Sequence, residues 1–323
     1  MLMICAWLFV PRFLPFIWIF SGSLAVVTFF FFCSVLTIRW ANIRQKSFQK
    51  KIFLSALTIR LIYVVIIYFF YTAKTGIPFE FSVGDSIGYH GEAIWFTDSF
   101  FSGGGMRYYW AMHTGVSDSG WPVIIGIIYI ITHKSIFAVR IINAIVSAWM
   151  VVLIYKIAQR NFGEQPARIT GVMAMLLPAF IYYSGLHLKE TFMIFLLLAF
   201  INQADAILHS RHFTLLNIIK IVLLGASLFF FRTVLAAAAW FALFSSVLLS
   251  SEKLMNRYHK TVIAIWLAVA AIFVLSGRIS SEISAYFGAR NTNQDARYEY
   301  FSTRKGANQL SHYGSAALFI PII

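Results

Sequence analysis

Charged residues are scarce in this chain, and their scarcity excludes an ordinary soluble protein. Only 12% of its 323 residues are charged, whereas 60% are hydrophobic and the mean hydropathy is +0.77. A soluble domain is about 25% charged and about 45–50% apolar. The excess lies in long blocks, such as Phe13 to Ile38 and Ile52 to Tyr71. These blocks predict membrane spans, because a hydrocarbon core of about 30 Å needs about 20 apolar helical residues.

Cysteine and the common cofactor motifs are also nearly absent. The two cysteines, Cys5 and Cys33, lie in apolar sequence without the spacing of a disulfide framework or a metal site. The chain has no Walker-type phosphate loop, no Cys/His cluster and no heptad seam. It also lacks the alternating pattern of a membrane barrel, so the predicted spans are helices. No basic region precedes the first apolar run, which is read as a retained membrane segment.

The predicted fold class is therefore all-α, a polytopic transmembrane helix bundle with about eight spans. In the first apolar region, one span is favoured over a tight hairpin turning at Ser21–Ser23. The predicted spans are about 13–36, 52–72, 135–155, 168–185, 189–206, 216–231, 233–250 and 261–277.

Basic residues outnumber acidic ones by 26 to 12, which gives a net charge of +14. In a soluble protein this would indicate nucleic acid, but here the basic residues lie between apolar blocks, and no nucleic-acid partner is predicted. Thirteen of them fall in four short loops, at 39–51, 156–168, 205–220 and 251–260. The positive-inside rule predicts that these loops are cytoplasmic. The predicted location is the cytoplasmic (inner) membrane, with the lipid bilayer as a partner.

The longer connections are then predicted to be extracytoplasmic. The first is 73–134, and its polar part, 73–119, carries a net charge of −3. Within it, Trp121 to Thr132 is apolar but too short to span the bilayer. This segment predicts a short interfacial helix started by Pro122.

A second extracytoplasmic loop is predicted at 278–315. A fresh apolar stretch runs from Ala316 to Ile323. We therefore expect the natural protein to continue, with 1–323 forming a single transmembrane domain.

A polar motif in the first outer loop is the first candidate for chemistry. Asp85 follows a predicted span by about a dozen residues, and a carboxylate there could act as a general base or bind a metal ion. Tyr89, His90 and Glu92 follow closely. The alternative is an ordinary polar loop with a capping aspartate, which the pattern alone favours.

The second candidate is the tight outer turn between two predicted spans, which contains His187, Lys189 and Glu190. Charged groups at membrane depth are costly unless they are paired or face water. Glu190 could alternatively serve only as a first-turn carboxylate that favours the helix dipole. The pattern leaves the two interpretations equal.

Two arginines form the third group. Arg232 lies where two predicted spans meet on the outside and could bind a lipid phosphate; the alternative is an arginine that snorkels to the interface. Arg60 lies about nine residues into its span and is expected to pair inside the bundle.

Three pieces together resemble the GT-C superfamily of membrane glycosyltransferases, such as the protein mannosyltransferases and the lipid A aminoarabinose transferases. The first is Gly84-Asp85-Ser86 with Tyr89 and His90. The second is a proline-led apolar helix leading to an arginine, from Trp121-Pro122 to Arg140. The third is a span ending in Pro178 and Ser184, followed by Leu188-Lys189-Glu190. The resemblance covers about residues 80–205.

The resemblance implies an inverting transferase that uses a polyprenyl-phosphate sugar as donor and a glycan, lipid or protein as acceptor. Asp85 and Glu190 are then the catalytic acids, and they are also the candidates for holding a divalent cation. Because many relatives have a paired acid where this chain has Ser86, Glu92 could substitute. The substrate contacts implied or proposed are Tyr89, His90, Glu92, His187, Lys189 and Arg232. The last three would stabilise charge on the departing phosphate.

Two alternatives remain open. One is a polysaccharide polymerase or ligase acting on lipid-linked oligosaccharide, which would use outer-loop arginines such as Arg290, Arg297 and Arg304. The other is a lipid-linked sugar flippase or a small-molecule transporter. The position of the polar residues at the outer interface favours an enzyme.

Overall fold

The computed structural model describes residues 16–80, 84–101, 118–209 and 215–249, and the regular structure in these ranges is helical. Its ten helices are α1 (Phe16–Arg39), α2 (Gln45–Thr75), α3 (Gly84–Phe101), α4 (Gly120–Thr132), α5 (Ile136–Phe162), α6 (Glu164–Leu176), α7 (Pro178–Ser184), α8 (Glu190–His209), α9 (Leu215–Phe231) and α10 (Thr233–Leu249).

Seven of the eight predicted spans coincide with helices, but the count of eight is not confirmed. In the described ranges, four helices are long and apolar enough to cross a membrane, namely α1, α2, α5 and α8. The bent pair α6 and α7 makes a fifth if it counts as one span. The helices α9 and α10 have 17 residues each, fewer than the roughly 20 that cross a hydrocarbon core. The predicted span 261–277 and the predicted loop 278–315 lie outside the described residues.

The first apolar region forms one continuous helix, α1, which runs through Ser21–Ser23. This confirms the single helix and excludes the tight hairpin. Large side chains along α1 remain outside the protein core, with Val27 at 65% and Ile38 at 75% exposed. Such a long apolar surface is typical of a helix that faces lipid.

Arg168, counted above as a loop residue, is buried inside α6 at 5% exposed. Its guanidinium donates hydrogen bonds to the carbonyl oxygens of Trp40 at 2.8 Å, Ala41 at 2.6 Å and Ile43 at 2.6 Å. The last carbonyl groups of a helix lack partners within the helix, so Arg168 satisfies the chain as it leaves α1. It also forms an ion pair with Glu164 on its own helix.

The bend between α6 and α7 measures 48° and precedes Pro178. A proline removes a backbone donor and disfavours the helical conformation of the residue before it. Arg60, fully buried in α2, donates from Nη1 to the Met175 carbonyl at 3.3 Å and from Nε to Ser147 Oγ at 2.6 Å. Arg60 therefore pairs inside the bundle, as predicted, and the structure identifies its partners as a hydroxyl and a carbonyl near the break.

The connection 73–134, predicted to be extracytoplasmic, contains two helices in its described residues. The short helix predicted at 121–132 is present as α4, whereas α3 was not predicted as a helix. Its glycines and polar residues give it little intrinsic helix propensity. Close packing supports it instead: Gly126 of α4 lies so near the Phe96 ring of α3 that a Cβ there would overlap it.

The helices α9 and α10 fold back on each other at Arg232. Gly225 of α9 lies against the indole of Trp240 in α10. These residues are fifteen apart, a separation that would exceed 20 Å along one continuous helix at about 1.5 Å per residue. The turn predicted at Arg232 is therefore present.

The chain divides into two compact units, and the first reaches Trp240. The site described below lies wholly in that first unit. The described part of the second is the end of α10, from Phe241. The single domain predicted for 1–323 includes residues beyond the described ranges and stays a prediction.

Candidate functional site

Four chain segments converge at one end of the first unit. They are the start of α3, the start of α4, the α7–α8 turn and the α9–α10 turn. Gly120 at the start of α4 packs against Phe230 and Phe231 at the end of α9. A hydrophobic cluster beneath them includes Trp121, Ile125 and Tyr129 of α4. This packing brings together residues that are far apart in sequence.

Glu190 is the meeting point of the predicted catalytic and phosphate-binding residues. The charges of Lys189, Asp85 and Arg232 all act on its carboxylate. Asp85 and Arg232 are exposed, whereas Glu190 is half-buried. One Glu190 oxygen, Oε2, is buried without a hydrogen-bond partner among the described residues. That Asp85 and Glu190 line the mouth of one cavity stays a prediction.

Glu190 is also the first residue of α8, so its carboxylate lies in the first helical turn. A negative charge there interacts favourably with the helix dipole. The capping interpretation and the site interpretation are therefore compatible, because Oε2 has no hydrogen-bond partner among the described residues.

Lys189 forms an ion pair with Asp118, a residue that the sequence did not single out. The Lys189 side chain is 9% exposed, and its ammonium lies 5.7 Å from the centre of the Tyr89 ring. Burial disfavours its charge, but hydrogen bonds to Asp118 and Tyr89 outweigh burial and raise the pKa of Lys189. Lys189 is therefore a cation with a partner already in place.

Asp118 has a backbone φ of 69°, an uncommon conformation for a residue with a side chain. Nothing in its local sequence indicates a site. The ion pair with Lys189 joins residues 71 positions apart, so the fold alone identifies it.

Side chains from α4 and α5 fix the α7–α8 turn. Asn143 Nδ2 donates to the Leu186 carbonyl at 3.1 Å, and the Trp121 indole donates to the His187 carbonyl at 3.4 Å. Gly185 lies against the Tyr63 ring, where a Cβ would overlap. The turn thus has a defined backbone course that presents His187, Lys189 and Glu190.

His187 is fully buried among aromatic rings. Its ring stacks on Tyr129 with centroids 6.4 Å apart and meets Phe79 at 5.8 Å and His90 at 6.0 Å. Burial, with the charges of Arg140 and His90, lowers the pKa of His187 to about 3. His187 is therefore neutral near pH 7.

His90 contacts the same group from α3. Its Nδ1 lies 2.7 Å from the Tyr129 hydroxyl. Burial, and to a lesser degree Lys134, lowers the pKa of His90. His90 and His187 are thus brought together by the fold, as neighbours in one aromatic cluster.

Arg140 and Glu80 lie beside this cluster. Arg140 is fully buried in α5 and donates a hydrogen bond to the Pro78 carbonyl. Glu80, 4% exposed, accepts a hydrogen bond from Ser86, the residue after Asp85. The Glu80 charge acts on Arg140. An arginine near the start of an apolar span is a sequence signal that could have placed Arg140 in the site.

Glu92 lies seven residues after Asp85 on α3, which separates them by about 10 Å along the axis at 1.5 Å per residue. It is half-buried. Its predicted role as the second acid beside Asp85 stays a prediction.

A divalent cation has no preformed cage within the ranges that the structure covers. No group of three His, Cys, Asp or Glu side chains there is arranged to bind a metal ion. Two of the groups near Glu190, Lys189 and Arg232, are themselves cations. The outer-loop arginines Arg290, Arg297 and Arg304 lie outside the described residues.

No family model, curated protein or solved structure matches this chain. The resemblance to GT-C enzymes rests on the sequence motifs alone.

Proposed function

We propose that this protein is a membrane glycosyltransferase that takes a sugar from a polyprenyl-phosphate donor and transfers it to an acceptor hydroxyl. The observation that carries the proposal is the convergence of Asp85, Lys189 and Arg232 on Glu190. Two acids and two cations at one accessible mouth match the needs of this reaction, which are a base for the hydroxyl and positive charge for the phosphate.

The reaction assigns each group a task. Asp85, the exposed acid, accepts the proton of the acceptor hydroxyl. The acceptor oxygen then bonds to the anomeric carbon, the bond from that carbon to the phosphate oxygen breaks, and the polyprenyl phosphate leaves with the electron pair. Attack from the face opposite the phosphate inverts the anomeric configuration.

Arg232 is the principal phosphate ligand in this proposal. It is exposed, and its planar guanidinium can bind two phosphate oxygens at once. Lys189 adds charge from its position beside Asp118. Glu190, through its unpartnered Oε2, orients the acceptor hydroxyl toward Asp85.

The test is transfer of radiolabelled sugar from a panel of polyprenyl-phosphate donors by the purified protein in lipid nanodiscs. Asp85→Asn should lower turnover by about 10²–10⁴-fold, because the amide keeps the shape but loses the base. Glu190→Gln should lower it less. The matched control is Asp98→Asn on the same helix, since the exposed pair of Asp98 with Lys134 contributes little.

Two outcomes contradict the proposal. One is a folded wild-type protein that transfers sugar from none of the donors. The other is Asp85→Asn turnover equal to that of Asp98→Asn.

A transporter of lipid-linked sugars is the second candidate, and one observation favours it. The bent pair α6 and α7 lies beside the fully buried Arg60, and broken helices near buried charges occur in secondary transporters. Translocation of a fluorescent polyprenyl-phosphate sugar in proteoliposomes separates the two functions. Translocation without transfer, unaffected by Asp85→Asn, supports the transporter.

A further inference from the structure

Several buried polar atoms next to His187 have no hydrogen-bond partner among the described residues. They are both ring nitrogens of His187, Nε and Nη1 of Arg140, Oε2 of Glu80 and Oδ1 of Asn143. His187, Arg140 and Asn143 are fully buried and Glu80 is 4% exposed. An unsatisfied buried polar group typically costs about 1–3 kcal/mol, and most such groups in folded proteins are paired. Six such atoms in one place indicate a missing polar partner.

These atoms belong to one locality. The Arg140 charge acts on His187, and the Glu80 charge acts on Arg140. Asn143 follows Arg140 by three residues on α5, which places both on one helix face. Its amide also binds the carbonyl of Leu186, next to His187.

The chemistry of these groups selects a ligand class. Arg140 supplies donors, Glu80 and Asn143 supply acceptors, and neutral His187 supplies one of each. The charges of Arg140 and Glu80 cancel. Glu80 would therefore repel an anionic ligand, and Arg140 would repel a cationic one.

Aromatic rings complete the surroundings. Phe79 and Tyr129 both contact the His187 ring. Aromatic faces next to mixed donors and acceptors suit a ring that carries several hydroxyl groups, since each hydroxyl can both donate and accept.

We propose that His187, Arg140, Glu80 and Asn143 form a binding site for a neutral, polyhydroxylated ring, that is, an uncharged sugar. The inference deepens the proposed function, on which its biological meaning rests, by assigning the donor sugar to this position and the donor phosphate to Arg232. The binding itself can be measured without any transfer reaction.

His187→Phe is the decisive variant. Phenylalanine keeps an aromatic ring against Tyr129 and Phe79 but removes both nitrogens. Because neither nitrogen bonds to the described protein, the variant should fold with unchanged or raised thermal stability. The matched control is His209→Phe, the same substitution at an exposed histidine in the last turn of α8.

The measurement is equilibrium binding and thermal shift of the full chain in nanodiscs. The probes are radiolabelled neutral hexoses and N-acetylhexosamines, with a hexuronic acid and inorganic phosphate as charged counterparts. Wild type and His209→Phe should bind at least one neutral sugar, and His187→Phe should bind it at least about tenfold more weakly.

Glu80→Gln supplies an independent test of charge selection. The amide can still accept the hydrogen bond from Ser86, but the group then carries the net positive charge of Arg140. The hexuronic acid should therefore bind this variant more tightly, relative to the neutral sugar, than it binds the wild type.

The outcomes separate this inference from the proposed function. Sugar binding that survives Asp85→Asn and disappears in His187→Phe supports the site even if no transfer is detected. Equal sugar binding by His187→Phe and wild type overturns the inference even if Asp85 proves catalytic. No binding of any neutral sugar by the wild type also overturns it.

Discussion

At the scale of single residues, the surroundings of a side chain change what its identity implies. His187 was predicted from the sequence to stabilise a departing phosphate, as a positive charge would. In the structure it lies among Tyr129, Phe79 and His90, and its pKa is lowered to about 3. A neutral imidazole can donate or accept a hydrogen bond but carries no charge. In our proposal His187 therefore contacts the sugar and not the phosphate.

The lowered pKa of His187 predicts an acid-sensitive fold. In the unfolded chain its pKa is about 6.5, so between about pH 6.5 and 3 the unfolded state binds more protons than the native state. The free energy of unfolding should fall as pH drops through this window, by up to about 1.4 kcal/mol per pH unit for this group. His187→Phe should reduce the loss in melting temperature between pH 7.5 and pH 4.5.

His90, whose pKa is also lowered, stays in that variant and should leave some pH dependence. His209→Phe serves as the control. An identical loss of melting temperature in wild type and His187→Phe would show that His187 protonates freely in the native state.

Arg232 tests the phosphate assignment. Arg232→Ala should weaken donor binding at least about tenfold, since a hydrogen bond to a charged group contributes about 1.5–3 kcal/mol. Arg232→Lys should weaken it less, because one ammonium keeps the charge but loses the fork. Filter binding of a radiolabelled polyprenyl-phosphate sugar measures both. Arg39→Ala is the control, and unchanged affinity in Arg232→Ala would support the snorkelling alternative.

At the scale of helices, buried arginines satisfy backbone groups where helices end or break. Arg168 binds three carbonyls after α1, and Arg60 binds the Met175 carbonyl near the end of α6. Both places leave carbonyl groups without helical partners. In the sequence, Arg168 has the position of a basic loop residue that sets the topology. Arg60 has the position of an isolated charge within a span.

The same substitution by leucine distinguishes a buried arginine that satisfies carbonyl groups from an exposed one. Arg168→Leu should lower the free energy of unfolding by about 3 kcal/mol or more, because it removes charge-assisted hydrogen bonds to three carbonyl groups and the ion pair with Glu164. Arg39→Leu, at an exposed position, should change it by less than about 0.5 kcal/mol. Thermal unfolding in detergent compares the two. Equal stability of the two variants would contradict the capping role of Arg168.

At the scale of the whole first unit, the chain has two chemically different ends. The α1–α2 and α5–α6 connections and the end of α8 lie at one end, where Arg168 contacts Ile43 and Arg160 pairs with Asp205. The start of α3 and the α7–α8 and α9–α10 turns lie at the other end, with Glu190. The basic stretches 39–51 and 156–168 and the candidate site are therefore at opposite ends of the first unit. The membrane side that each end faces stays a prediction.

Cysteine labelling determines that sidedness. In a chain with Cys5 and Cys33 replaced, a cysteine at position 85 should react with an impermeant maleimide in intact cells. A cysteine at position 46 should react only after the membrane is permeabilised, since the positive-inside rule places its loop in the cytoplasm. The reverse pattern would invert the topology and place the candidate site in the cytoplasm.

The sequence by itself determined the helical membrane class and the places of most helices. These follow from local properties: the length of an apolar run decides that it forms a span, and Pro122 with the run after it decides α4. The turn at Arg232 was also visible, because one charge interrupts two apolar runs. The helix α3 was missed since its glycine-containing, polar sequence becomes helical through packing against α4.

Only the tertiary structure decided which residues form the site. The pairing of Lys189 with Asp118, and the grouping of Glu80, Arg140 and His187, join segments separated by roughly fifty residues or more. No local pattern encodes such contacts, because they depend on how several helices pack together. The same packing removes water from His187, and that loss of solvent makes it neutral. Residue types can thus be read along the chain, whereas charge states and partners follow from burial and distance in the folded protein.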